Sequence, residues 1–277
     1  MTLLRVMKNK ERILYYEDEL HDDFFNTKTN LNVTIDEDYE YLIKNPLRKL
    51  ISFILYYFVA APILYVEGKL FKGIRIKGKK KLRKLKKTGY IMYANHTSGR
   101  DAFLGHVFLA HPKRTYIIGN KDAVSIIFVR RLTKDLGTLP TPDTPGALKN
   151  LNATISKLMK KKKALMIYPE AHIWPYYTKV RPFPNTSFRF AVSNNVPCVP
   201  ITVTYQKPKG IYKLKRKPQM IVYVGDPIYP QTDVSPREAA NILRNQTYDY
   251  IKKMTDKYST VEYYKYIKKE KEEIDDN

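Results

Sequence analysis

Apolar and polar positions change in blocks along the chain, and these blocks predict an α/β fold. From residue 90 onward, short apolar runs alternate with segments of helical periodicity. The apolar runs are predicted strands at 90–94, 115–119, 164–168, 198–205 and 219–224. The segments between and after them are predicted helices at 101–111, 121–134, 146–160, 187–193 and 235–258. This alternation is typical of a mixed, largely parallel central sheet flanked by helices.

The most hydrophobic segment, residues 50–66, contains no charge and comes before the first strand. Its length is at the lower limit for a bilayer span, and Ser52 and Pro62 weaken it further as a span. Cations flank both ends, so the positive-inside rule assigns no orientation. We interpret the segment as an N-terminal helix that docks on or in one membrane leaflet. A buried core helix is the alternative, and spanning remains open.

Charge is unevenly distributed along the chain, and its distribution indicates which binding partners to expect. The net charge is +23, yet residues 1–45 carry ten acids and six bases, against seventeen and forty-four in residues 46–277. Ten of the sixteen residues from 72 to 87 are Lys or Arg. Next to an apolar segment, such a block is typical of contact with an anionic membrane surface. No aromatic residue is interleaved with these cations, so a nucleic-acid partner is unlikely.

These changes in composition predict four regions. Residues 1–46 are a variable lead, 47–88 the apolar helix with a basic membrane-facing segment, 89–230 the catalytic domain, and 231–277 a C-terminal helix and charged tail. Ser235, Pro236 and Glu238 predict the start of the last helix. The tail from Lys268 is predicted to be disordered.

Candidate chemistry follows the first predicted strand. The segment 95–101, Asn-His-Thr-Ser-Gly-Arg-Asp, places His96 and Asp101 at the end of that strand and the start of a helix. A carboxylate beside an imidazole fixes its tautomer and leaves the other ring nitrogen free to accept a proton. The lone Cys198 lies in an apolar strand, where a thiol is inert, and suits a reducing compartment. His106 and His111 are interpreted as structural, and the histidines show no zinc spacing, so no metal and no bound cofactor are expected.

At these residues the chain resembles the lysophospholipid and glycerolipid acyltransferases, which include 1-acylglycerol-3-phosphate acyltransferase. Their hallmark is Asn-His, four residues and Asp, matched here by Asn95, His96 and Asp101. Two later blocks, Tyr168 to His172 and Val196 to Ile201, stand in family order, so that the resemblance covers roughly residues 75–225.

The resemblance implies a reaction and a set of site residues. It implies transfer of a fatty acyl group from acyl-CoA or an acyl carrier protein, as co-substrate, to a hydroxyl of a lysophospholipid-type acceptor. His96 is then the general base and Asp101 orients it, and the backbone or side chains around 97–99 are candidate donors to the oxyanion. The predicted substrate-binding residues, some by resemblance and some as replacements where the chain departs from the family, are Asn95, Ser98, Arg100, Lys121, Glu170, His172, Lys179 and Arg181. The implied location is the cytoplasmic face of the cell membrane.

The chain also departs from the family pattern. Ala171 and Ile173 stand where the family has glycine and arginine, and an acidic residue, Asp143, stands near the end of the block where it has another arginine. Two readings follow. Either other bases bind the acceptor's phosphate, or the acceptor carries a sugar or larger polar head. The candidates for the first reading are Lys121, Arg130, Lys179 and Arg181. Those for the second are His172, Trp174, Tyr176 and Tyr177, and the Trp-Pro-Tyr-Tyr segment could instead be a structural loop packed by its own aromatic rings.

Two alternatives to an acyltransferase remain at this point. The scaffold could be a non-catalytic basic module that binds membrane or nucleic acid, or a hydrolase that transfers the acyl group of a thioester to water.

Overall fold

The computed structural model describes residues 5–8, 11–24, 33–125 and 130–269. Within these ranges the strands are β1 Arg5–Lys8, β2 Glu11–Tyr16, β3 Arg75–Lys77, β4 Tyr90–Ala94, β5 Thr115–Gly119, β6 Thr138–Pro140, β7 Ala164–Ile167, β8 Cys198–Gln206, β9 Gln219–Val224 and β10 Lys265–Lys268. The helices are α1 Pro46–Phe71, α2 Asp101–Phe103 with its π-type continuation Leu104–Leu109, α3 Arg130–Leu136, α4 Pro145–Lys160, α5 Arg189–Ser193 and α6 Pro236–Tyr258.

The central sheet has the strand order β3-β9-β8-β4-β7-β5-β6. Strands β4 to β8 are mutually parallel, whereas β9 is antiparallel to β8 and β3 runs in the direction of β9. The predicted mixed, largely parallel sheet is therefore confirmed. The carboxyl ends of β4, β5, β6, β7 and β8 share one edge, which is where α/β folds place their ligands.

Alternation along β4 divides the core between the two faces of the sheet. Tyr90, Met92 and Ala94 pack into one apolar cluster, whereas Ile91 and Tyr93 pack into another. Helices α4 and α6 cover the second cluster, and α1 and α2 lie against the first. The predicted strands and helices agree with these elements to within about two residues, except that predicted helix 121–134 is a 3₁₀ turn, Lys121–Val124, followed by α3. Residues 126–129, between the two, lie outside the described ranges.

Helix α1 lies along the surface of the domain with an apolar side turned outward. Only 17% of its most apolar 18-residue window is buried, which rules out the buried core helix as an interpretation. A narrow stripe of side chains holds the helix against the domain. Ser52 Oγ donates to the Asp135 carbonyl at 2.7 Å, and the Tyr56 hydroxyl accepts from the Thr115 amide at 3.0 Å. Near the other end, Gly68 sits against the Phe108 ring. The outward side carries exposed apolar residues, namely Leu47, Leu50, Ile51, Phe53, Ile54, Phe58, Val59, Ile63, Tyr65, Val66, Leu70 and Phe71.

The two ends of the chain form a second sheet, which the sequence did not predict. Its strand order is β1-β2-β10, with β1 antiparallel and β10 parallel to β2. The expectation that the tail is disordered from Lys268 is wrong at its start, because Lys268 is the last residue of β10 and pairs with Tyr16. The rest of the predicted tail, 270–277, lies outside the described residues. The isolated β10 pattern is too short to stand out without its partner strand.

The basic block, residues 72–87, is divided between the end of α1 and a separate 3₁₀ helix. Lys72 lies at the end of α1, 3.7 Å from Glu67, whereas Lys79–Leu85 form a 3₁₀ helix pinned by the buried Leu82 and Leu85. That 3₁₀ helix comes before β4, so it lies at the amino edge of the parallel strands. The carboxyl edge is about 17 Å away, given five residues of strand. Whether this part of the block faces a membrane stays a prediction.

We expect a stability loss in mild acid that comes from His106. Its ring is buried, the Leu136 carbonyl accepts from Nε2, and Nδ1 has no hydrogen-bond partner among the described residues. Burial lowers its pKa from 6.5 to about 4, and the charge of Arg114 adds to this. The unfolded chain protonates this histidine at higher pH than the folded chain does, so stability is full above pH 6.5 and falls as the pH drops toward 4. The loss is on the order of 3 kcal/mol.

The measurement is urea unfolding between pH 4 and pH 7.5, comparing the wild type with His106→Gln. The variant should have a flatter stability profile over this range, because glutamine does not titrate. His21→Gln is a control, since His21 is exposed. An equally steep fall for wild type and His106→Gln would contradict the assignment.

Candidate active site

A short loop after β4 brings His96 and Asp101 together. The His96 ring nitrogen Nδ1 lies 3.2 Å from Asp101 Oδ2. The same oxygen accepts the backbone N–H groups of Thr97, at 2.7 Å, and Ser98, at 2.8 Å. Asp101 is fully buried at the first turn of α2, where a carboxylate also complements the helix dipole. Oδ2 is thus held by two N–H donors, and it presents an acceptor to the imidazole.

The imidazole itself is held on two sides. Its ring stacks on Tyr168, with centroids 4.3 Å apart and planes at 21°. The Tyr168 hydroxyl donates to the Asp101 carbonyl at 2.5 Å, which ties the stacking residue to the same turn. The His96 side chain keeps 14% of its surface exposed, and no described residue hydrogen-bonds Nε2. With Nδ1–H directed at Asp101, Nε2 is the free, basic nitrogen.

Glu170 holds the backbone of the histidine. It follows β7, the strand next to β4, and its Oε2 accepts the His96 amide at 2.9 Å. Its Oε1 accepts the Arg181 amide at 2.9 Å, and the Arg181 guanidinium lies 3.2 Å from Oε2. Burial raises the pKa of Glu170, whereas Arg181 and the two amides oppose that rise. Both partners of this pair are almost completely buried.

The structure buries three of the expected substrate contacts. Glu170 and Arg181 bond each other and backbone groups, and Arg181 Nε has no partner among the described residues. Asn95 is also fully buried, and its amide bonds both the N–H and the carbonyl of Val203, at 2.8 and 2.9 Å, as a neighbouring strand would. In the structure these residues position the loop around His96, and their contact with a substrate stays a prediction.

The loop 168–181 is packed from outside by the small terminal sheet. Trp174 is fully buried, stacks on Tyr266 at 4.9 Å and lies against Tyr16 at 4.8 Å. Its indole N–H donates to the Asp22 carbonyl at 2.7 Å, and the Arg181 guanidinium lies over its ring. The Trp-Pro-Tyr-Tyr segment is thus a structural loop, and Trp174 is not available as a sugar platform.

One departure from the family pattern has a conformational consequence. Ala171 stands where the family has glycine, and it adopts a φ of 61°, the left-handed region that favours glycine. The backbone of this turn keeps the glycine-like conformation although the side chain has changed.

Arg100 connects the loop of His96 to α1. Its guanidinium lies 3.2 Å from Glu67, an acid of the outermost helix, and both side chains are about half exposed. Ser98 lies next to it and accepts the Arg100 amide through Oγ at 3.2 Å, so its hydroxyl proton is free to donate. Arg100 and Ser98 remain candidate substrate contacts.

The remaining predicted residues lie at different places around the sheet edge. Lys121 pairs with Asp143 at 2.9 Å. Asp143 stands near the position of a family arginine, and Lys121 is one of the cations expected to replace that arginine, so the acid neutralises this candidate. His172 is half-buried, with Nδ1 3.5 Å from Asp23. Lys179 is exposed on the loop that carries Glu170. Cys198 is buried, and burial raises the pKa of its thiol, as expected for an inert cysteine.

Sequence reasoning missed two residues of the site. Tyr168 begins a block that had been recognised, but stacking cannot be deduced from sequence order. Glu67 does carry a signal in the sequence, since it is an acid near the end of an apolar helix. Such a charge is expensive against lipid and indicates a partner on the protein side.

Comparisons with known proteins agree with the geometry. The family model described as Acyltransferase matches residues 73–204. The crystal structure of the 1-acyl-sn-glycerophosphate (LPA) acyltransferase PlsC from Thermotoga maritima is similar, with a TM-score of 0.53 and 19% sequence identity, over 76% of this chain and 86% of that chain. At this identity the match shows a shared fold. No curated protein matches the chain by sequence. The expected family resemblance is confirmed.

We predict that Arg181 is needed to keep Glu170 buried. Arg181→Met leaves a buried carboxylate without its charged partner, which costs on the order of 3–5 kcal/mol of unfolding free energy. The double variant Arg181→Met with Glu170→Gln should recover part of that loss, because the uncompensated charge is gone.

Urea unfolding of the two single variants and the double variant measures this coupling. Lys179→Met is the matched control: it removes an exposed cation from the same loop and should leave stability unchanged. Additive losses in the double variant would show that the two side chains are not coupled.

Proposed function

We propose that the chain is a membrane-associated O-acyltransferase, because residues 73–204 match the family model described as Acyltransferase. It transfers a fatty acyl group from a thioester, acyl-CoA or acyl carrier protein, to a hydroxyl of a lysophospholipid-type acceptor. The observation that carries this is His96, whose Nδ1 faces a buried carboxylate while Nε2 is free at the carboxyl edge of the sheet. A base of this kind suits an alcohol nucleophile brought by the substrate.

The proposed reaction needs no covalent intermediate on the protein. Nε2 of His96 takes the proton of the acceptor hydroxyl as its oxygen attacks the thioester carbonyl. Asp101 offsets the charge of the imidazolium formed. The tetrahedral intermediate collapses with cleavage of the C–S bond, and the thiolate leaves with the proton from His96. An ester and a free thiol are the products.

The loop geometry limits which groups can donate a hydrogen bond to the oxyanion. The amides of Thr97 and Ser98 are bound to Asp101, and the Arg100 amide is bound to Ser98 Oγ. Within the segment 97–99, the donors without a partner among the described residues are the Gly99 amide and the Ser98 hydroxyl. We propose these two groups for the oxyanion, in place of the whole segment 97–99.

The acceptor is proposed to carry an anionic headgroup. The sugar-head alternative depended on His172, Trp174, Tyr176 and Tyr177. Trp174 is fully buried, Tyr176 and Tyr177 pack on other aromatic rings, and His172 faces Asp23. Arg100 and Lys179 are the exposed or half-exposed cations on the two loops that frame His96. They are the proposed contacts to a phosphate in place of the family arginines.

Membrane association is proposed to occur through the outward side of α1. The helix is held along its length, by Ser52 and Tyr56 in its first half and by Glu67 in its second. A helix fixed in this way lies in one leaflet, with its apolar side in the acyl region and the domain in the aqueous phase. The cytoplasmic side is proposed because the chain's only cysteine is unpaired and its thioester co-substrates are intracellular.

The proposed reaction can be tested directly. Incubation of the protein with membrane lipid extract and a labelled acyl thioester should give a labelled phospholipid, identified by mass spectrometry, and one free thiol per product. His96→Ala and Asp101→Asn should each lower kcat about 10² to 10⁴-fold, because proton abstraction is lost or misdirected. The control His111→Gln, which replaces a histidine interpreted as structural, should keep its activity.

The same assay separates the alternatives. Thiol release that is independent of any acceptor indicates a hydrolase. Unchanged lipid products with His96→Ala would show that the site is not catalytic.

A further prediction concerns the acceptor's headgroup. Lys179→Gln should raise KM for a phosphate-bearing acceptor several-fold and leave KM for an uncharged monoacylglycerol unchanged, because an ion pair with phosphate is lost. Lys149→Gln is the control, since Lys149 is an exposed cation on α4, on the other face of the sheet. Equal effects on both acceptors would remove Lys179 from the headgroup site.

A further inference from the structure

The connection between β8 and β9, residues 207–218, combines two features that are rarely exposed together. Ile211 and Leu214 are 86% and 87% exposed, more than any other large apolar side chain in the described residues. Around them stand six cations and no acid, namely Lys207, Lys209, Lys213, Lys215, Arg216 and Lys217. We refer to residues 207–218 as the basic hairpin loop.

The basic hairpin loop is fastened to the end of α1. The Tyr212 hydroxyl donates to the Lys69 carbonyl at 2.6 Å, and the Lys215 ammonium donates to the Phe71 carbonyl. At its base, Gln219 donates to the Gly73 carbonyl at 2.6 Å. A Cβ at Gly73, where φ is +72°, would meet the Tyr212 ring at 2.9 Å. The loop and the helix end therefore form one packed unit.

This unit extends the apolar side of α1. Leu70 and Phe71, the last apolar residues of the helix, are also exposed, and the loop is bonded to the helix at Lys69 and Phe71, so the loop's two apolar side chains lie on the segment fastened to this end of the helix. The loop leaves β8 one residue after Tyr205, whose hydroxyl donates to the Thr97 carbonyl at 3.1 Å. The loop therefore lies at the sheet edge where His96 stands, whereas the 3₁₀ helix of the other basic block lies at the opposite edge.

We propose that the basic hairpin loop is a second membrane contact, which inserts Ile211 and Leu214 into an anionic leaflet beside the active site. This rests on the proposed function, and it names the surface from which the acceptor is taken. Apolar side chains gain by leaving water for the acyl region, while cations next to them pair with anionic headgroups. A nucleic acid would pair with the cations but would leave the two aliphatic side chains in water.

The loop's position has a consequence for access. Together, α1 and the basic hairpin loop place the membrane along the edge that carries His96, so a lysophospholipid reaches Nε2 without leaving the lipid phase. The cations of the loop also raise the local concentration of an anionic acceptor.

Vesicle binding by the full-length protein tests the proposal. Co-sedimentation is measured with vesicles of phosphatidylcholine alone and with vesicles containing 30% phosphatidylglycerol, a composition chosen for the assay at roughly the surface charge of an anionic leaflet. Ile211→Ser with Leu214→Ser should weaken binding about tenfold or more. Lys209→Gln, Lys213→Gln and Lys217→Gln together should weaken binding to anionic vesicles about 100-fold, at about fivefold per cation. All five positions are exposed, so the variants fold as the wild type does.

A charge-matched control uses the other face of the sheet. Lys149→Gln, Lys157→Gln and Lys160→Gln on α4 remove three exposed cations and should leave vesicle binding unchanged within about twofold. Insertion is read directly with Ile211→Trp, whose fluorescence should shift to the blue on anionic vesicles, whereas Leu148→Trp on α4 should not respond. The native Trp174 is buried and gives a constant background.

The outcomes separate this inference from the proposed function. Wild-type vesicle binding by the Ile211 and Leu214 variant overturns the membrane contact, and so does an Ile211→Trp signal that responds to duplex DNA and not to vesicles. Acyl transfer to an acceptor in detergent micelles should be retained by that variant. If vesicle binding falls as expected but the wild type transfers no acyl group, the loop stands as a membrane contact and the enzyme assignment fails.

Discussion

The buried carboxylate of Asp101 is the constraint on which the site depends. A charge removed from water is costly unless donors surround it, and here one oxygen takes the two amides of Thr97 and Ser98 and faces the ring of His96. Satisfying that oxygen fixes the backbone of the loop and the tautomer of the imidazole at the same time. It also removes two amides from the set that could stabilise an oxyanion. In the proposed mechanism, the same arrangement therefore determines which ring nitrogen acts as the base and which donors are left for the oxyanion.

Glu170 fixes the backbone of His96, as Asp101 fixes its side chain. It reaches from β7 to the amide of His96, and Arg181 neutralises it from within the same loop. The family arginine that sequence comparison finds missing is thus not replaced at its own position. A cation from further along the loop, Arg181, enters the interior instead and pairs with Glu170. Under the proposed function, the acceptor's phosphate is met by exposed cations, of which the loops framing His96 provide few.

The sequence was sufficient for the large elements and for the central pair. Buried parallel strands appear as continuous apolar runs, so β4, β5, β7, β8 and β9 were found with nearly correct bounds. The pair of His96 and Asp101 was found because the loop between them is short and local. Burial was the part that could not be predicted: Asn95, Glu170 and Arg181 are polar residues next to a candidate site, and only tertiary packing shows that they face inward. β10 was missed for a related reason, because its partner β2 lies at the other end of the chain.

The pairing of the chain ends bears on the order in which the site forms. The loop that carries Glu170 is covered by Tyr16 from the N-terminal segment and by Tyr266 from the C-terminal one, both packed on Trp174. Contacts of such sequence separation form late, because they close the longest loops. During synthesis the central sheet can assemble through β9 before Tyr266 is available, whereas Trp174 and the guanidinium of Arg181 complete their packing only afterwards. The immediate contact between His96 and Asp101 is local and does not wait for this step. The geometry of His96 is thus set by a short loop, whereas the packing over Trp174 joins Tyr16 and Tyr266, two residues far apart in the sequence.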